Sequence, residues 1–531
     1  MILTGMARRA GLVAGAVGLM ATALPTVAAT AVPTKANGPA PAVAGPVGRP
    51  DWCPAVETGN RVDCGSVDRP AVAGRPDLGT VRVSYAVVRH RNAGPATGTV
   101  AVNPGGPGEA PIHLASSFAQ ALRALLADHD VLLVDPRGTG FSERMPCGLS
   151  DRDYRFGTRE QQREAVARCG RDLGPRAAAY TTAATADDLD AVRERVGAPK
   201  LTLYGLSYGT YLMPVYASRH PERVASVVLS GAYPLAFDPL ARPSAQAVSS
   251  ALRRVCDRGA GQGGRGKRPA CDGGKAVADL ATTASRLRTR PLDVDVTLDS
   301  GGSPRRLRFT EGKLANLAYE AASRAVGQDP SAATLLGALP HALDRFVKGD
   351  DGPLVRLVRN EYKEATTEDQ APYVAVVCND YRTPWSPKAP VEERKARYRA
   401  ALDAARPGSF GAFSPEGFLE GPTDGGDVCL GWPRENTAPQ RQPLHPRLPD
   451  VPVLVVSGDL DANTPDANGR EAARQFRTSR FLSVRNVGHV PELSTTGCVT
   501  GLTTRFIRTG RTGDTGCVKA LPPISVTPVR P

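Results

Sequence analysis

The chain has 531 residues, 41% of them hydrophobic and 22% charged. That balance suits a packed globular protein and excludes wholesale disorder. The net charge is +13, but the basic residues are scattered, with Arg265-Gly266-Lys267-Arg268 the densest group. Aromatic residues make up only 5%, so a stacking surface for nucleic acid is not expected.

The first residues read as a targeting segment. Arg8 and Arg9 precede an apolar run from Ala10 to Leu24, closed by small residues at Val27-Ala28-Ala29 or Ala29-Thr30-Ala31. This is the pattern of a secretory signal peptide over 1–31, too short and Gly-rich for a membrane span. Residues 32–50 are rich in Pro, Ala and Gly and read as a linker or pro-segment. Ten cysteines agree with export. An even number pairs most simply between neighbours, as 53/64, 147/169, 256/271, 378/429 and 498/517. There is no C-x-x-C and no H-E-x-x-H, so neither a metal nor another cofactor is expected. The expected mature protein is secreted, without stable membrane insertion.

An α/β rhythm follows. Strands are predicted over 80–88, 99–102 and 130–135, then a helix over 185–196 capped by Thr185, a strand over 201–204, a helix over 208–218 and a strand over 224–229. Such alternation argues for a mostly parallel sheet with helices on both faces. From about Tyr233 to Leu448 helical patterns and Gly-rich loops replace it. The pattern resumes with a strand over 451–456, a helix over 467–476, a strand over 480–484 and a helix over 499–507. The chain therefore reads as one α/β core in two parts, 51–232 and 449–531, interrupted by a large, mainly helical cap insertion at 233–448.

Gly205-Leu206-Ser207-Tyr208-Gly209 follows a predicted strand and opens a predicted helix, the setting of a G-x-S-x-G nucleophile elbow. A serine hydroxyl needs a base oriented by an acid, and on this fold the chain order is Ser, then Asp or Glu, then His. His489 meets that order. His90, His113, His129 and His220 lie in the first half of the core, His341 lies inside the insertion, and His445 precedes the acid's strand. The acid belongs in Gly458-Asp459-Leu460-Asp461-Ala462-Asn463-Thr464-Pro465, where Asp459 and Asp461 both qualify and Asp461, further beyond the strand, is preferred. An oxyanion also needs donors. One is the backbone N–H of Tyr208. The other comes from Asn103-Pro104-Gly105-Gly106-Pro107-Gly108, where the prolines cannot donate, leaving Gly105 or, preferably, Gly106. The Asp135-Pro136-Arg137-Gly138-Thr139-Gly140 loop is given a structural role only.

Taken in order, N-P-G-G-P-G, D-P-R-G-T-G-x-S, Y-G-L-S-Y-G-T, G-D-x-D-x-x-T-P and G-H resemble the secreted tripeptidyl aminopeptidases, within the proline iminopeptidase branch of the α/β-hydrolase superfamily. Cys378-Asn379-Asp380, Cys429-Leu430-Gly431-Trp432-Pro433 and Cys498…Cys517 look like that family too. The resemblance implies an α/β-hydrolase fold, a triad of Ser207, Asp461 and His489, and release of short peptides, tripeptides above all, from substrates with free N-termini. It departs at Glu109-Ala110-Pro111, where relatives carry small residues. An esterase or lipase on the same fold is the alternative, and a non-catalytic wall-binding protein a remote one. An exopeptidase must also hold the substrate ammonium. Asp380 on the cap is the first expectation for that anchor, ahead of Glu109, which lies too near Ser207, and of Glu361, Glu364, Glu368 and Asp369.

Overall fold

The computed structural model describes residues 49–527 except 260–268, 325, 328, 330–331, 367, 422–425 and 434–442. The signal peptide, nearly all of the linker and the whole basic group at 265–268 lie outside the described residues.

Eight strands form the main sheet: β1 (Val62–Pro70), β2 (Thr80–Val88), β3 (Gly98–Asn103), β4 (His129–Val134), β5 (Leu201–Leu206), β6 (Val224–Ser230), and, beyond the hairpin of β7 (Leu292–Val296) and β8 (Arg305–Phe309), β9 (Val453–Gly458) and β10 (Ser479–Val484). Their order is β1-β2-β4-β3-β5-β6-β9-β10. β2 runs antiparallel to β1 and β4, and the remaining neighbours are parallel. Successive residues of the central strands point to opposite faces. Leu132, Leu203, Leu229 and Val455 enter one apolar cluster, and Leu133, Tyr204, Val228 and Leu454 enter the other. The first cluster continues into the insertion through Phe309, Leu314 and Phe418, so cap and core share a single apolar interior.

Two strand regions depart from the sequence reading. β1 has an irregular burial pattern with Asp68 and Arg69 on an edge, which obscures its alternation. The β7–β8 hairpin lies inside the insertion, which was expected to be mainly helical and for which no particular strand was predicted. The helix predicted over 185–196 is Thr182–Arg195. Its cap is Thr181, whose hydroxyl accepts from the Ala184 N–H, while Thr185 donates back to the Thr181 carbonyl. The cap also extends beyond the insertion. Helices Asp151–Phe156 and Arg159–Leu173 leave the sheet after β4 and bind it through Arg155–Glu361 at 3.0 Å and Arg159–Asp427 at 2.7 Å. Five disulfides join 53/64, 147/169, 256/271, 378/429 and 498/517.

The D-P-R-G-T-G loop is a structural node. The Arg137 guanidinium makes a two-pronged contact with Asp188, at 2.7 and 2.8 Å, and donates to the carbonyls of Ala71 and Ala179. Both side chains are almost fully buried. Removing one member of such a pair leaves an unpaired buried charge, at a cost of about 3–5 kcal/mol. Asp188→Ala should therefore lower the unfolding free energy by about 3–5 kcal/mol, read as a lower urea midpoint. An unchanged midpoint would show that the pair contributes nothing to stability.

Candidate functional site

The elbow between β5 and the helix Gly209–Arg219 is a sharp turn at the carboxyl end of the sheet. Ser207 has φ +53°, a left-handed conformation that costs a non-glycine residue free energy and persists only when its surroundings impose it. Two glycines allow it. A Cβ on Gly205 would lie 2.3 Å from the Gly209 carbonyl oxygen, and one on Gly209 would lie 2.5 Å from the Asn103 oxygen. The Ser207 N–H is tied to the Ser230 carbonyl at the end of β6 (2.9 Å).

The Gly-rich loop after β3 abuts the elbow. Gly105 donates its N–H to the Asn103 side chain at 3.1 Å, which removes it from the two glycines considered as donors. Among the described residues, the N–H groups of Gly106 and Tyr208 enter no hydrogen bond. Both residues line the same cavity as Ser207. Since backbone donors are nearly always paired, these two are available to an anion beside Ser207. Asp135 holds the flank of this loop: its carboxylate accepts from Ile112 and Phe141 N–H. Burial pushes it up to about 6.

Of the two loop aspartates, Asp461 meets the histidine. Its Oδ2 lies 2.7 Å from His489 Nδ1 and accepts the Thr464 hydroxyl at 2.6 Å. Its Oδ1 accepts the N–H groups of Asn463 and Thr464. Asp459 points elsewhere, to Arg258 at 2.6 Å and the Asn486 N–H at 2.7 Å. His489 is fully buried and lies against Gly231, where a Cβ would come within 2.8 Å of the ring. Ser207 and His489 thus both abut the Ser230–Gly231 end of β6. They share no hydrogen bond here; His489 Nε2 instead lies 3.4 Å from Asn463 Nδ2. Such contacts often form only once substrate is bound.

Sequence reasoning did not identify the cap segment that secures these loops. The carbonyls of Ala322, Ser323 and Val326 accept from Ala462, His489 and Gly488. It read Thr464-Pro465 only as a turn and helix start and passed over Asn463, although Asp461-Ala462-Asn463-Thr464-Pro465 has the composition of a turn held by side-chain-to-backbone bonds.

The cavity above Ser207 measures about 680 Å³ and is lined from both core and cap, with Tyr233, Phe237, Tyr373 and Tyr381 among its rings. Glu109, Asp238, Glu320, Glu368 and Asp369 supply acid groups. Asp380 does not line the cavity, which corrects the sequence expectation. Its buried carboxylate accepts from both the N–H and the hydroxyl of Thr182, at 2.5 and 2.6 Å. It braces the start of the helix Thr182–Arg195, where a negative charge is favoured.

Beneath the histidine, Glu492 is buried and accepts the Ser230 hydroxyl. Burial pushes its carboxyl up from 4.5 to about 7, against the opposing effects of the Ser230 hydroxyl, its own N–H, the Tyr204 hydroxyl and His489. A raised folded-state value means the fold favours the protonated acid. Its stabilising contribution is complete below about pH 4.5 and is lost as pH rises to about 7. The difference in urea midpoint between Glu492→Gln, which stays neutral, and wild type should grow in the variant's favour across that window. A constant difference would show that Glu492 does not titrate there.

Two family profiles match the chain: an alpha/beta hydrolase fold over residues 98–260 and a TAP-like protein region over 421–518. The first spans Gly106 and Ser207, the second Asp461 and His489. Serine protease Hip1 of Mycobacterium tuberculosis is 28% identical over 506 residues, covering 88% of this chain and 91% of the relative. The tripeptidyl aminopeptidase of Streptomyces lividans is 25% identical over 481 residues, covering 85% and 82%. Carboxylesterase B of Mycobacterium tuberculosis is 25% identical over 448 residues, covering 78% of each chain. With its eight-stranded sheet, elbow and C-terminal region, the chain belongs to the α/β-hydrolase superfamily, among its TAP-like serine hydrolases.

Proposed function

We propose that the protein is an exported serine exopeptidase that releases short peptides, tripeptides above all, from substrates with free N-termini. In this reading Ser207 Oγ attacks the scissile carbonyl and its proton passes to His489 Nε2. His489 then protonates the leaving amine, and water hydrolyses the acyl-enzyme by the same route. Asp461 orients the imidazole, and the Gly106 and Tyr208 N–H groups receive the oxyanion. The observation that carries the chemistry is the pair of unpaired N–H groups beside Ser207 in one cavity. The five disulfides fit an oxidising compartment, and no helix among the described residues is long and apolar enough to cross a membrane.

The acid groups of the cavity support the exopeptidase reading. A buried ammonium needs a charge partner. Asp238 is paired with Arg242 at 2.6 Å, Glu320 is engaged with Arg324 at 3.1 Å, and Asp369 accepts from the Leu149 and Ala371 N–H groups. Glu368, on the cap side, makes no ion pair among the described residues. Three extended residues reach about 10 Å, a span that suits an anchor on the cap better than Glu109, so Glu368 replaces Asp380 in this role. The second reading, an ester hydrolase, draws on the relative named carboxylesterase B.

Ser207→Ala should abolish turnover. Asp461→Asn should cost several orders of magnitude, non-additively with Ser207→Ala, while Asp459→Asn keeps most activity; equal losses at the two aspartates would overturn the choice of acid. On tripeptide amides, wild type should strongly prefer a free over an N-acetylated substrate, and Glu368→Gln should lose that preference mainly through KM. If acetylation makes no difference to wild type, the exopeptidase reading fails and an endopeptidase or esterase replaces it.

A further inference from the structure

The base of the proposed triad is contacted on its reactive side by a residue of the acid loop, which is in turn held by the cap. His489 Nδ1 faces Asp461, so Nε2 is the nitrogen that must accept the Ser207 proton. In this structure its hydrogen-bonding neighbour is Asn463 Nδ2 at 3.4 Å. The other end of that amide is occupied: Asn463 Oδ1 accepts the hydroxyl of Tyr319, from the cap helix Glu311–Ala321. The Asn463 main chain is fixed as well, through its N–H on Asp461 Oδ1 at 2.8 Å and its carbonyl on the Ser244 hydroxyl at 3.3 Å. Tyr319, Asn463 and Ser207 line one cavity.

These contacts constrain the imidazole. An amide has one accepting end and one donating end. With Tyr319 bonded to the oxygen, only the N–H end faces His489. A neutral imidazole carrying its proton on Nδ1 can accept there, whereas an imidazolium would oppose donor to donor. At 3.4 Å the contact is near the outer limit for a hydrogen bond, so the Ser207 hydroxyl can displace it.

We propose that Asn463 is a positioning residue for the base: aimed by Tyr319, its N–H holds His489 neutral with Nε2 ready to accept, so that the cap governs the state of the base. This rests on the serine hydrolase reading of the site. The other groups around the imidazole are accounted for. Asp461 and Thr464 face it from the acid loop, and Glu492 from the turn that follows it. The Glu320–Arg324 pair flanks Ser323 on the cap, and the Ser207 elbow and the Ser230–Gly231 end of β6 bring no charge. None of these provides an N–H donor to Nε2.

The test is the pH dependence of kcat/KM on p-nitrophenyl acetate for wild type, Asn463→Asp and Tyr319→Phe, with folding checked by circular dichroism. A carboxylate facing Nε2 favours its protonation, so in Asn463→Asp the acid limb moves to higher pH by about one unit. That is an activity loss of about tenfold near pH 6 that disappears in alkali. In Tyr319→Phe the released amide can turn its oxygen to Nε2, and the limb moves the same way by less, with KM little changed. Acid limbs that coincide with wild type in both folded variants, with losses equal at every pH, would overturn the proposal and leave Asn463 a bracing residue. A wild type that neither hydrolyses the ester nor takes up a fluorophosphonate at Ser207 would instead overturn the hydrolase reading, and this inference with it.

Discussion

A carboxylate withdrawn from water beside an imidazole is tolerated only if its oxygens are hydrogen-bonded, and the site depends on how Asp461 meets that requirement. Four donors converge on it: two backbone N–H groups, the Thr464 hydroxyl and His489. The N–H groups curl Asp461–Thr464 into a turn, and the turn aims Oδ2 at the ring. The ring lies where Gly231 leaves space at the end of β6, and β6 also holds the Ser207 N–H. One satisfied carboxylate thus links the loops after β5, β6, β9 and β10.

The cap takes part in that linkage. Its carbonyls at 322, 323 and 326 take up N–H groups from both the acid loop and the histidine loop. Its apolar side chains continue the cluster on one face of the sheet, and the Arg155–Glu361 and Arg159–Asp427 pairs clamp it to the excursion after β4. Packed interiors transmit displacement, so the residues that shape the cavity and those that hold the base belong to one body. The loops at the carboxyl ends of the strands carry Ser207, Asp461 and His489, and the cap contributes charged and aromatic residues to the lining of the cavity above them.

Much of this architecture is legible in local patterns, because local physics sets it. The central strands are short apolar runs with period-two alternation. The elbow is recognisable because its backbone admits only glycine at 205 and 209, and the order Ser, Asp, His follows from the strands that carry them. The neighbouring cysteines pair as their spacing suggests. The near misses are equally local: an edge strand blurred by charge at β1, and a helix whose cap is Thr181 rather than Thr185.

Only the tertiary structure could decide which acids face the cavity. Asp380 and Glu368 look alike in a sequence, as carboxylates in or beside cap helices. Asp380 turns inward because the Thr182 N–H and hydroxyl lie 198 residues away in the chain and directly beside it in space. Glu368 remains on the cavity wall. The same holds for Asp459 against Asp461, and for Asn463 between Tyr319 and His489. Spacing along the chain determines which strand or helix a residue occupies. The direction its side chain takes is set by donors and charges brought from distant segments, and no local pattern records them.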